Sequence, residues 1–393
     1  MGEVDPPPRK CLYSLMADGP FIAVGGGLAG AAFALELARN GEDVLVLEST
    51  AQPKHKVCGE FLSAEVQTLL DYLGLDLKAM GATSVGRFRL AAGNRCAEAP
   101  LPFRGAGLSR FRLDQSLLQA AEAAGAEVRR GIAVSSIEPT AGGVTVKTGS
   151  RVCRASGAAL ATGKHNLRAF PRRPSGMVGF KLQLRLQPEA LRTLHDVVQI
   201  LMFDGGYIGA CIIEDELVTL CWVMRPALVQ RIGPAWHSQA AYFSAQSEML
   251  GDLLAGARPE WDKPIAIAGI PYGYLRRQPI ASNIFPLGDQ LAVIPSFTGD
   301  GMAIAVFSGI AAARAVLAGD SAATFQRRMI RRLRGQFHWA GAVNLLFEST
   351  MMHTVSVMGA ALLPGAITWI ANSTRISGFE EVMAAQGPGR RLL

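Results

Sequence analysis

FIAVGGGLAGAAFALELARNGEDVLVLES, residues 21–49, decides the fold. FIAV is a short apolar run stopped by glycine, which reads as a buried parallel strand. LAGAAFALELARNG is rich in alanine and leucine and ends at Gly41, suited to a left-handed helix cap. EDVLVLES then reads as the next strand, and the three together make one βαβ unit. Gly25, Gly27 and Gly30 form GxGxxG at the first strand–helix turn. They permit a tight turn, close approach of backbone to a pyrophosphate, and close packing of helix on strand. The helix start offers free N–H groups and the positive end of its dipole to phosphate oxygens. Glu48 closes the second strand, where a carboxylate accepts hydrogen bonds from ribose hydroxyls. The expectation is a dinucleotide-binding unit.

Working outward, FRLDQSLLQAAEAAGAEVRRG (111–131) is a second helix-then-strand unit. IAVSSIEP and GVTVKT follow as a small antiparallel meander. RASGAALATGKHN (154–166) reads as another buried strand ending in a glycine turn at Gly163. Between about 175 and 275, period-two stretches such as VGFKLQLRLQ and LVTLCWVMR predict a largely antiparallel sheet, interrupted by a helix near 235–256. The βα character returns at 282–319, so the nucleotide-binding domain is expected to be discontinuous. The predicted boundaries are 18–170 with 276–322 for that domain, 171–275 for an inserted substrate domain, and 323–393 for a helical, apolar C-terminal segment.

LGDQLAVIPSFTGDGMAIA (287–305) argues for FAD. Gly288–Asp289 follows an apolar strand, and an aspartate at that turn can bind a ribitol hydroxyl. Pro295, Gly299, Asp300 and Gly301 then open a helix of small residues. That helix would aim its N-terminal dipole at the pyrimidine end of a flavin, where negative charge resides after reduction.

The order of GxGxxG with its glutamate, the RFRLD helix start, ATG at 161–163 and GDxxxxxPxxGxGxxxA resembles the FAD-dependent monooxygenase and geranylgeranyl reductase superfamily, with the para-hydroxybenzoate hydroxylase fold. The resemblance covers roughly residues 20–320. It implies an α/β protein: a glutathione-reductase-type, Rossmann-like FAD domain beside a substrate domain on a mixed, largely antiparallel sheet. By the same resemblance Gly25, Gly27, Gly30 and Glu48 hold the adenosine half. Arg112, with Asp114 in RFRLD, contacts the pyrophosphate or ribitol region, Asp289 binds ribitol, and Pro295 to Gly301 lines the flavin ring.

KHKVCGEFLS (54–63) follows the glutamate-bearing strand, and in this fold that segment returns beneath the flavin ring. Geranylgeranyl reductases carry a Cys–Gly pair there, and Cys58–Gly59 is similar to it. The pair would let the chain pass close to the ring edge. The alternative is that Cys58 only packs. The chain departs from many aromatic hydroxylases, which carry GDAAH where this one has GDQLA. It also lacks the WxWxIP signature of flavin halogenases. No second GxGxxG offers a stable nicotinamide site, so an NAD(P)H donor would visit transiently.

The remaining composition excludes several classes. With 393 residues, 49% hydrophobic and 18% charged, the chain suits two domains and is neither disordered nor fibrous. Its net charge of +7 is spread along the sequence without a nucleic-acid-binding signature. Six cysteines lack CxxC spacing, and none of the six histidines falls in a metal-ligand pattern, so no metal is expected. Residues 1–17 read as a disordered lead without a secretory pattern, which suggests a cytoplasmic protein. Residues 349–374 carry no formal charge but hold several hydroxyls and Pro364–Gly365, after the basic run RRMIRRLR (327–334). Helices packed around a hydrophobic tunnel, or lying at a membrane interface, fit this better than a membrane span.

The sequence therefore predicts an FAD-dependent oxidoreductase acting on an isoprenoid- or polyketide-like substrate. An NAD(P)H-dependent monooxygenase, working through a C4a-hydroperoxyflavin, is the first expectation. A reductase of carbon–carbon double bonds is the second, and a non-catalytic flavin-binding, membrane-associated protein the third.

Overall fold

The computed structural model describes residues 19–172, 176–281, 283–348 and 350–363, together with 365, 368, 369, 373 and 375. The predicted lead at 1–17 lies outside the described residues, as does most of the chain beyond 363.

The nucleotide-binding unit begins with β1 (Phe21–Val24), α1 (Leu28–Arg39) and β2 (Val44–Glu48). After them come β3 (Phe61–Leu62), α2 (Ala64–Tyr72) and a long hairpin of β4 (Thr83–Ala92) and β5 (Arg95–Gly107). The chain returns through α3 (Arg110–Ala123) and β6 (Glu127–Arg130). A three-stranded meander follows, β7 (Ser136–Thr140), β8 (Gly143–Thr148) and β9 (Arg151–Ala155), leading into β10 (Gly157–Leu160). The second sheet takes β11 (Met177–Arg185), then, after the short α4 (Pro188–Thr193), β12 (Asp196–Phe203), β13 (Gly206–Ile212) and β14 (Val218–Met224). Helices α5 (Pro226–Ile232), α6 (Trp236–Gln246) and α7 (Glu248–Leu254) cover one face. Strands β15 (Arg258–Pro259), β16 (Ile265–Ile270), β17 (Tyr274–Leu275), β18 (Ile284–Pro286) and β19 (Ala292–Val293) lead to α8 (Gly301–Leu317), α9 (Ala322–Glu348) and α10 (Thr350–Leu362).

The five-stranded sheet runs β18-β10-β1-β2-β6 and is parallel throughout. β2 is buried along its whole length and α1 on most of its surface, because α1 packs against the sheet, α3 and α8. Glu36, a buried acid on α1, accepts hydrogen bonds from the Tyr72 hydroxyl at 2.8 Å and from Arg314 Nε at 3.1 Å. A buried carboxylate without such donors would be costly.

The second sheet has nine strands in the order β15-β11-β14-β13-β12-β4-β5-β3, with β16 also on β11. All its pairs are antiparallel except β12 with β4. This pairing corrects the expected boundaries. Residues 83–107 were assigned to the nucleotide-binding domain, yet β4 and β5 belong to the substrate sheet. They lie between two Rossmann elements in the chain, and the parallel register Phe88↔Val198 and Leu90↔Ile200 carries them into the other unit. The expected helix near 235–256 is two helices, parted at Ser247, whose extended backbone (φ −162°) no helix admits.

A buried ion pair lies between β11 and the residue before β3, and ties both to the start of α3. Glu60 and Lys181 are both fully buried, with Lys181 Nζ donating to Glu60 Oε1. The same oxygen accepts from Arg110 N at 2.7 Å, and Oε2 accepts from Gln183 Nε2 at 3.0 Å. Glu60 adopts φ +57°, a left-handed conformation uncommon for a residue with a side chain. The left-handed turn sets Glu60 on β11.

Candidate functional site: a phosphate cradle and an apolar cavity

At the first turn the backbone conformation is imposed by contact. A Cβ on Gly30 would stand 1.9 Å from the Gly25 carbonyl oxygen, so only glycine lets α1 begin there. Gly27 is different. A Cβ on it would meet nothing nearer than Lys56 Nζ at 3.4 Å, Arg110 Nη2 at 3.9 Å and Asp114 Oδ2 at 4.0 Å. Gly27 is the N-cap of α1 and supplies no side-chain cap, so the N–H groups of the first turn point into this space. Two cations and one carboxylate therefore flank an open helix N-terminus, the charge and geometry a diphosphate requires.

Asp114 arranges the cations. Arg110 Nε donates to its Oδ1 at 2.6 Å, and Lys56 Nζ lies 3.1 Å from its Oδ2. Burial opposes its ionisation, but Arg110 and Lys56 outweigh that and hold its carboxyl below the usual range. The Ser109 side chain caps α3 by accepting from Arg112 N, which aims the first turn of that helix at the cradle. Glu48 accepts from Gly26 N at 2.8 Å through Oε2, and from Thr50 N and Oγ1 at 2.9 and 2.8 Å through Oε1. Burial raises its pKa, yet these donors and Lys56 bring it below the ordinary value. Glu48 is thus an ionised acceptor beside the turn.

Arg112 lies elsewhere. Its guanidinium pairs with Glu214 at 3.3 Å and with Asp215, and donates to the Met80 carbonyl at 3.2 Å. Arg110, one helical turn before Asp114, is the arginine of RFRLD that stands beside Gly27. The i,i+4 spacing of Arg110 and Asp114 was the available signal. Lys56, in KHKVCGEFLS, carried no signal beyond its charge.

The second turn gathers another set. Asp289 Oδ2 lies 3.4 Å from Lys164 Nζ. Arg172 donates to the Asp289 and Gly163 carbonyls at 2.5 and 3.0 Å, and Gln290 Nε2 donates to Gly163 O at 3.0 Å and Thr162 Oγ1 at 2.8 Å. The ATG turn and the Gly288–Asp289 turn are therefore one unit. Gly288 N donates to Ser308 Oγ at 2.9 Å, fixing that unit to α8.

Beyond both turns lies a cavity of about 300 Å³. Its walls include Gly59, Phe61, Phe88 and Leu90 from the early chain, Tyr207, Cys211 and Cys221 from the second sheet, Ser296 to Gly299, and Val343, Phe347, Gly359 and Ala360 from α9 and α10. The Cys58–Gly59 segment and the Pro295–Gly301 segment, far apart in sequence, both reach it. A Cβ on Gly299 (φ +73°) would meet Phe61 at 2.9 Å, so the segments are in contact. Cys58 itself is half-buried and packs against the nucleotide-binding core, its sulfur accepting from Glu60 N at 3.4 Å. The cavity wall is formed by Gly59 rather than by the thiol.

The lining is mostly apolar, with a small polar array. The Tyr207 hydroxyl is paired with Ser296 Oγ, which also pairs with the Tyr272 hydroxyl at 2.8 Å. Burial pushes the Tyr207 phenol well above its ordinary range, so it stays protonated. Phe297 and Phe347 stack with centroids 4.4 Å apart. Asp300, the N-cap of α8, is buried and accepts from Arg375 Nη1 at 2.7 Å, and Arg375 also lines the cavity. Burial, with Glu65 nearby, pushes the Asp300 carboxyl up to about 7 against the pull of Arg375.

Residues 20–155 match the family described as FAD binding domain. No curated protein matches the chain. Among solved structures it is similar to halogenase PltM, at 18% identity over 93% of this chain and 86% of that one, with a TM-score of 0.73. It is similar to the flavin-dependent brominase Bmp2, at 17% identity over 93% and 97%, TM-score 0.74. It is also similar to PqsL, a probable FAD-dependent monooxygenase from Pseudomonas aeruginosa, at 15% identity over 86% and 98%, TM-score 0.71. These likenesses show the fold, which this chain shares with those halogenase, brominase and monooxygenase structures.

Proposed function

We propose that this protein is an FAD-dependent monooxygenase that hydroxylates or epoxidises a hydrophobic substrate bearing a hydroxyl group, with electrons drawn from NAD(P)H. The observation that carries the proposal is the apolar cavity walled by both Gly59 and the Ser296–Gly299 turn. The redox chemistry, acceptance of hydride and reduction of oxygen, is what FAD supplies there. Lys56, Arg110 and the α1 N-terminus would hold the diphosphate, Glu48 the ribose and Asp289 the ribitol chain.

The chain's own part is positioning and dryness. Phe88, Leu90, Phe297 and Phe347 exclude water from the cavity, which strengthens every polar contact inside it. Tyr207 is protonated and hydrogen-bonded to Ser296. It would therefore donate to, or accept from, a substrate hydroxyl rather than act as a base. One such contact in an otherwise apolar pocket fixes which carbon faces the ring.

The test is product mass. The purified protein with FAD, NADPH and candidate hydroxylated isoprenoids or polyketides should consume oxygen and add one oxygen atom derived from labelled O₂. Gain of two hydrogens without oxygen uptake would identify a double-bond reductase instead. Halide-dependent gain of chlorine or bromine would identify a halogenase, whose fold this chain shares. No substrate-dependent NADPH oxidation across the series would leave a flavin-binding protein without this activity.

A further inference from the structure

The outer surface of α9 and α10 is built differently from the rest of the molecule. On α10, Met351, Val355, Met358 and Leu362 are 86%, 56%, 47% and 77% exposed. They recur at i, i+4, i+7 and i+11, a single stripe along one side of the helix. Its other side carries Ser356 and Ala360, which line the 300 Å³ cavity. One helix thus separates the cavity from an apolar outer surface.

The preceding helix, α9, carries an exposed stripe of its own. Arg327, Arg331, Arg334, His338 and Leu345 are exposed at successive three-, four- and seven-residue steps, while Phe325, Met329, Leu333, Gln336 and Ala340 form the buried stripe. Trp339 is exposed beside it, in edge contact with the exposed Trp369 at 4.7 Å between centroids. Arg277, Arg327, Arg331 and Arg334 surround a surface hollow of about 580 Å³. Among the described residues none of these four guanidinium groups is paired with a carboxylate, and the sequence between Asp320 and Glu348 contains no acid. Elsewhere arginines are routinely paired, as at Arg110, Arg112 and Arg314.

We propose that this face docks on an anionic lipid bilayer, with the arginines at the phosphate level and the α10 stripe and the tryptophans set among the acyl chains. Unpaired arginines beside exposed apolar and indole side chains are complementary to a lipid headgroup layer. A second copy of the chain is a poorer occupant. A symmetric contact would set arginines against arginines, or bury them beneath the apolar half. No helix among the described residues is long and apolar enough to cross a membrane, so the attachment lies in the interfacial plane. The docked face would present α10, the cavity's own wall, to the layer in which a hydrophobic substrate dissolves. That last consequence rests on the function proposed above; the docking does not.

The experiment is vesicle flotation of the FAD-loaded protein. It should float with phosphatidylcholine vesicles containing phosphatidylglycerol, far less with phosphatidylcholine alone, and lose the difference in high salt. The tryptophan emission should move to the blue on binding. R327E/R331E/R334E should weaken binding to anionic vesicles by at least about tenfold. M351S/V355S/L362S should remove the retention that survives salt, with FAD content and melting temperature kept. Absence of flotation by the wild-type protein overturns the proposal. So does flotation unaffected by either triple variant, or a wild-type dimer in light scattering that M351S/V355S/L362S dissociates in the absence of any vesicle binding.

Discussion

The cradle around Gly27 and the cavity beside Gly59 are neighbours built on opposite principles. The cradle takes its shape from backbone, with Gly25 and Gly30 fixed by contact inside one βαβ segment, and its charge from Lys56, Arg110 and Asp114. The cavity is made of side chains from the early hairpin, the second sheet, the Ser296 turn and the last two helices. A site made of backbone tolerates little and announces itself in sequence. A site made of converging side chains can be reshaped one residue at a time, which suits a fold that hosts several chemistries.

The widest break in that contrast should come from the glycines. Gly30→Val places atoms inside the Gly25 carbonyl, so the cradle itself should fail, with a melting temperature lower by about 10 °C or more and no bound FAD. Gly27→Val has room in the fold but fills the phosphate space. It should melt near the wild type while FAD affinity falls by about a hundredfold or more. Calorimetry beside flavin titration of both variants checks this, and equal melting losses would mean Gly27 is structural too.

The next test addresses the buried pair between Glu60 and Lys181. Lys181→Ala leaves Glu60 buried and uncompensated, which should destabilise the protein by about 3–5 kcal/mol. Urea denaturation should show the loss as one cooperative transition. A loss of less than about 1 kcal/mol would show that the buried pair contributes little.

A smaller effect is expected from Asp300. Its folded carboxyl titrates near 7 against an ordinary 3.8, so protonation favours the folded state. That contribution is complete below about pH 4 and is lost as pH rises through 7. The wild-type melting temperature should fall by a few degrees relative to Asp300→Asn between pH 5 and pH 8, and parallel profiles would sink the assignment. The smallest effect belongs to Cys58. The thiol packs against core and backbone and Gly59 forms the wall, so Cys58→Ser should keep FAD and melt within a degree or two. Turnover then decides whether the sulfur matters to the ring: a rate unchanged within about twofold assigns it to packing.

The same contrast explains what could be read in advance. The strand, turn and helix around Gly25 and Gly30, the strand ending at Glu48 and the turn at Gly288–Asp289 were legible as backbone, because they are adjacent in sequence and glycine spacing encodes backbone shape. That Arg110 rather than Arg112 stands beside Gly27 could not be read from RFRLD, because either could be aimed at that turn. The choice depends on the rotation of α3, set by its Ser109 cap and by Glu214 on the far side. Tyr207 and Tyr272 were invisible, since no local pattern says that a residue in β13 and one before β17 will share the Ser296 hydroxyl in the turn near α8. The hairpin β4–β5 was placed in the wrong unit for the same reason: its partner β12 is chosen by tertiary pairing.

That parallel pairing of β4 with β12 also has a consequence for how the chain is made. The strand completing the parallel sheet, β18, emerges only at Ile284, and β4 waits for β12 to join it to the later strands. Neither sheet can close on the ribosome while only the first half of the polypeptide is available. Long-range pairings of this kind slow folding and leave strand edges open during synthesis. The nascent chain should therefore depend on chaperones until residues beyond the middle of the sequence appear, and neither unit can be excised as one continuous fragment.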